Sequence, residues 1–157
     1  MSEAYLELRA DFPAGSVRDM AIDFLNDEGP THEEEVEESY RDLFPLQDDV
    51  ESPQEVKAIG SRTLYALFAV FGHGVLLAQE YMEIFHKVGA KKIYGLFTDD
   101  EGSEEGWTIK NGKLLTFYTG FEGDEETAEL LLELDDNDRL PKLIELYESG
   151  ALKAKEG

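Results

Sequence analysis

The chain has 157 residues, 36 Asp and Glu against 14 Lys and Arg, a net charge of −22 and no cysteine. Such a chain is repelled by phosphate backbones and anionic bilayers, which sets direct nucleic-acid and membrane binding aside. Without thiols it has neither disulfides nor a thiolate nucleophile or metal ligand.

Residues 4–12 alternate, with Leu6, Leu8, Ala10 and Phe12 on one side and Tyr5, Glu7, Arg9 and Asp11 on the other. This predicts a half-buried strand with a solvated charged face. After Pro13-Ala14-Gly15, Ser16 and Asp19 have capping-box spacing. Val17, Met20, Ala21, Phe24 and Leu25 then form the stripe of an amphipathic helix that stops before Gly29-Pro30. Residues 31–60 read as an acidic helical insertion. Thr31 and Glu34 start one helix, which carries Val36, Tyr40, Leu43 and Phe44, and Ser52-Pro53-Gln54-Glu55 starts a short second one through Val56 and Ile59.

Residues 62–71 (RTLYALFAVF) are apolar on both parities, as in a strand covered on both faces. The period becomes helical over 75–88 and returns to strand over 92–98, a connection that permits a parallel crossover. Asn111-Gly112 between 107–110 and 113–119 marks a two-residue type I′ hairpin. Residues 124–134 favour helix, 139–149 form a last helix, and the tail ALKAKEG is expected to fray. The expected fold is α+β: one domain over 1–157 with a single mixed sheet of about five strands and helices mainly on one face.

No apolar run approaches the about 20 residues that span a bilayer. The start, MSEAYLELRADF, lacks the basic and apolar segments of a signal peptide, so the expected location is cytoplasmic.

Acidity is regional. Segments 27–55, 99–105 and 122–138 together hold 26 acids and one base, whereas the other 104 residues carry a net charge of +3. Candidate chemistry is sparse by comparison. Glu80, Glu83 and His86 recur at metal-ligand spacing on a helix, but on its polar arc, where solvated charges are the common case. His73, in Gly72-His73-Gly74 between a strand and a helix, is the best candidate for a catalytic group, although the segment matches no phosphate-loop pattern. The loop 99–106 lacks EF-hand spacing. No serine lies in a G-x-S-x-G elbow, and no cofactor is implied.

The leading expectation is therefore a non-enzymatic protein that presents acid to a basic protein partner. Glu33, Glu34, Glu35, Glu37 and Glu38 form one patch, and Asp99, Asp100, Glu101, Glu104 and Glu105 form another around Trp107 as an aromatic anchor. In size and charge the chain resembles small acidic inhibitors and immunity proteins that occupy the basic site of a nuclease, a likeness that no particular residues carry. The alternative is a small enzyme or ligand-binding domain with its site near His73 and the 99–106 loop.

Overall fold

The computed structural model describes residues 4–25, 54–70, 74–99 and 103–156. They form strands β1 (Ala4–Asp11), β2 (Glu55–Ile59), β3 (Thr63–Val70), β4 (Lys91–Asp99), β5 (Glu104–Lys110), β6 (Lys113–Tyr118) and β7 (Lys155–Glu156). The helices are α1 (Gly15–Leu25), α2 (Gly74–Lys87), α3 (Glu125–Leu132) and α4 (Asp136–Glu148). The strands make one sheet in the order β2-β3-β1-β4-β5-β6-β7, so the α+β expectation holds.

The sheet is antiparallel throughout and not mixed as expected. β3 and β4 do run the same way on either side of α2, but β1 lies between them and pairs antiparallel with both. β1 and β2 likewise run the same way, with β3 between them. Two interlocked split β-α-β units result, the ferredoxin-like connection, and every hydrogen-bonded pair is antiparallel. β4, β5 and β6 continue as the expected meander. Asn111 and Gly112, at φ +55° and +77°, make the I′ turn that two left-handed residues require.

Helices cover both faces and not mainly one as expected, because β3 and β4 carry apolar side chains on both parities. Leu6, Leu8, Leu64, Phe68, Ile93 and Trp107 pack against α1 and α2 through Val17, Ala21, Met82 and Phe85. Tyr65, Tyr94, Leu96 and Phe117 pack against α3 and α4 through Ala128, Leu131, Leu140 and Leu143. β3 thus has its two covered faces as expected, whereas the polar parity of β1 is not fully solvated, because Glu7 is buried.

Two further expectations are corrected. Residues 55–59 form β2, an edge strand, and not a short helix. Five residues cannot offset the cost of helix nucleation, whereas Gly60, at φ +59°, turns them back onto β3 in the register Ile59↔Thr63. The C-terminal tail is not frayed: Leu152 is buried in the α4-side core and Lys155 pairs with Thr116 as β7. The expected helix at 31–45 lies outside the described residues.

Candidate functional site: the acidic end of the sheet

Because neighbouring strands alternate in direction, the connections collect at two ends of the sheet. Ala4, Val70 and Asp99 stand together at one end, and Asp11, Thr63 and Lys91 at the other. The connections at the Asp11 end (residues 12–14, 60–62, 88–90 and 111–112) contain no acid. Among the described connections, residues 119–124 at the Ala4 end contain Glu122 and Asp124, and the strand ends beside them carry Asp99 and Glu104.

Glu104 organises the Ala4 end. It enters β5 opposite Thr98 and accepts hydrogen bonds from the Tyr118 hydroxyl and from Arg139 Nη2 of α4. The side chains of this pair are 8% exposed for Glu104 and 15% for Arg139, so the charges meet largely out of water. Arg139 Nε is buried without a hydrogen-bond partner among the described residues. Gly120, at φ +65°, passes so close that a Cβ there would lie 3.0 Å from Glu104 Cβ. Tyr118, Gly120 and Arg139 therefore converge on Glu104.

Glu7 lies on the same face of the sheet. It is 8% exposed and accepts a 2.7 Å bond from the Tyr65 hydroxyl. Burial, and then the Glu7 carboxylate, push the Tyr65 phenol far above its ordinary range. Burial and the hydrogen bond to Glu104 do the same to Tyr118. Both phenols consequently remain hydrogen-bond donors to carboxylates. A cleft of about 380 Å³ opens here, lined by Tyr5, Glu7, Tyr65, Asp99, Glu104 and Arg139 among others. Three carboxylates, one of them held by an arginine, suit the binding of a cationic group.

The sequence-predicted residues are partly assembled. Asp99 accepts a bond from Ser103 N (2.8 Å) while its own N–H bonds Ser103 O (3.1 Å), which closes the base of the loop. Asp99 and Glu104 line one cleft and Glu105 turns to the opposite face, where it accepts from Trp107, whereas Glu33, Glu34, Glu35, Glu37, Glu38, His73, Asp100 and Glu101 lie outside the described residues. Trp107 is not a surface anchor. It is 1% exposed in the core beneath α2, and its Nε1 donates to Glu105 at 2.9 Å. Gly95 is its cross-strand partner, and a Cβ there would lie in ordinary contact with the indole at 3.4 Å. Glu80, Glu83 and His86 are exposed on α2, and the described residues contain no cluster of three metal-ligating side chains.

Sequence reasoning missed Glu7, Tyr65, Tyr118 and Arg139. One signal was present: if β3 is covered on both faces, the charged parity of its neighbour β1 must lie under the same layer. Comparison with protein-family models, curated proteins and solved structures finds no match to this chain. Among the described residues no helix is long and apolar enough to cross a membrane.

Proposed function

We propose that the chain is a non-enzymatic binding protein whose Ala4 end docks on a basic protein partner, in the manner of an acidic inhibitor. On this reading a lysine or arginine of the partner enters the cleft beside Glu7, Asp99 and Glu104. The observation that carries the proposal is the cleft at the Ala4 end, which gathers Glu7, Asp99 and Glu104, in a chain whose acid is concentrated in three segments. A surface of this kind steers oppositely charged partners and raises association rates by about 10–1,000-fold at low salt. The same charge argues against nucleic acid as the partner. On this reading the encounter takes place in the cytoplasm.

The test is capture from the source-cell lysate on immobilised protein at about 50 mM and about 500 mM salt, a range over which the Debye length falls several-fold. The experiment is repeated with Glu125→Gln/Glu126→Gln, exposed beside the acidic end, and with Glu80→Gln/Glu83→Gln, exposed on α2. The expected result is one basic protein, released by salt and weakened by the first pair alone. Retention indifferent to salt, or equal loss with both pairs, refutes the proposal.

A further inference from the structure

The Asp11 end has the opposite character. Two adjoining clefts of about 600 and 580 Å³ open there and share Asp11, Thr63 and Lys92. The smaller has three bases on its rim, Arg62, Lys91 and Lys92, and an apolar wall of Phe12, Pro13 and Ile59. Ile59 is 38% exposed.

The acids nearby have other partners. Asp11 accepts a 2.5 Å bond from Thr63 Oγ1. In the larger cleft Glu148 accepts from the Tyr94 hydroxyl at 3.2 Å, and Glu145 pairs with Lys142 at 3.5 Å. Arg9, Arg62, Lys91 and Lys92 have no ion-pair partner among the described residues, although the chain carries 36 acids.

The backbone supplies an independent observation. Between the pairs Arg9↔Tyr94 and Asp11↔Lys91 the register shifts, so Ala10 of β1 faces two residues of β4, Lys92 and Ile93. Lys92 is the bulged residue and adopts φ +52°. Glycine is the default residue in a left-handed bulge. A lysine held there in spite of its Cβ, at the edge of both clefts, marks a position kept for its side chain.

The acidic end does not cancel this site. The eight residues of β1, at about 3.3 Å each, separate the two ends by about 26 Å, roughly three Debye lengths at physiological salt. We infer that the Asp11 end binds a small organic phosphate of mononucleotide size, its phosphate among Arg62, Lys91 and Lys92 and its apolar body against Phe12, Pro13 and Ile59. The volume lies in the range of small-molecule sites.

The test is titration of the ¹⁵N-labelled full chain with adenosine 5′-monophosphate, inorganic phosphate and adenosine, followed by amide shifts. The monophosphate should move the amides of Arg62, Lys91 and Lys92 and bind at least about tenfold tighter than phosphate, while adenosine moves nothing there. Lys92→Gly keeps the bulge and relieves the left-handed backbone while removing the charge. It should unfold no earlier than wild type yet bind at least about tenfold more weakly, with Lys92→Arg restoring binding. Absence of shifts at millimolar ligand, shifts elsewhere, or equal affinity of Lys92→Gly would overturn the inference. So would a low-salt dimer that Lys92→Gly abolishes with no response to the monophosphate, since the end would then receive the acidic end of a second copy.

Discussion

Removing the arginine that holds Glu104 tests the architecture of the acidic end most directly. In Arg139→Ala the Glu104 carboxylate keeps the Tyr118 hydroxyl but loses its counter-charge at 8% exposure. Stripping one partner from a buried pair costs about 3–5 kcal/mol, against about 0–1 for a surface pair. Because the arginine is itself 15% exposed, the lower end of that range, about 3 kcal/mol, is expected. With a urea slope of about 2 kcal/mol/M, the midpoint should fall by about 1.5 M at unchanged slope. In the background of Glu104→Gln, which keeps the shape and an acceptor for Tyr118, the same substitution should cost at least about 1.5 kcal/mol less. That difference is the coupling of the pair. A loss under about 1 kcal/mol with no coupling would mean that Glu104 and Arg139 are solvated, and the acidic end would then lack its fixed centre.

Three further outcomes follow from the packing. Gly95→Ala places a Cβ 3.0 Å from Met82 Sδ and 3.3 Å from Leu8 Cδ2. It should cost about 1–3 kcal/mol by overpacking, and a neutral result by thermal unfolding would show that Met82 and Leu8 give way to the added methyl group. Trp107 should fluoresce in the blue, resist iodide quenching and stay silent when a partner binds at the acidic end; strong quenching would place it at the surface. Tyr65, Tyr94 and Tyr118, all raised by burial first, should stay protonated in the folded protein as pH passes the ordinary tyrosine value of 10.0. Their folded values exceed the unfolded ones, so the linked stability is complete below about pH 10 and falls as pH rises above it. Absorbance at 295 nm should therefore leave at least three of the seven tyrosines untitrated until unfolding. Ionisation of all seven near pH 10 without unfolding would refute this.

Sequence reading succeeded where a local period meets a local burial pattern, and failed where the deciding partner lies far along the chain. α1, α2 and most of β1 have periods of 3.6 or 2 close to their burial, β3 and β4 are apolar on both parities and covered on both faces, and Asn111-Gly112 carries its own turn signal. β2 has a helix-start signal, Ser52-Pro53-Gln54-Glu55, and becomes a strand because β3 offers it an edge. β7 exists because Leu152, exposed in any local reading of ALKAKEG, reaches the core beneath α4. Trp107 follows acids in sequence, and only the register Gly95↔Trp107 shows that the indole has a hollow to fill. Arg139 and Glu104, 35 positions apart, could not be paired without the topology. Of the expected acidic site, the regional acidity was legible, and the anchoring of Glu104 by Tyr118 and Arg139 was not.

Alternation of strand direction turns a pattern along the chain into a pattern in space, and this makes the two proposed sites separable. The strands cross the sheet from end to end, so that Glu7, Asp99 and Glu104 meet at a cleft of the Ala4 end and Arg62, Lys91 and Lys92 at a cleft of the Asp11 end. Sites about 26 Å apart that share no partner are expected to be energetically independent. Glu125→Gln/Glu126→Gln should therefore weaken the basic protein partner while leaving the affinity for adenosine 5′-monophosphate within about twofold, and Lys92→Gly should do the reverse. If both substitutions change both affinities in proportion, the molecule acts through its total charge of −22, and the division into an acidic and a basic end has no functional meaning.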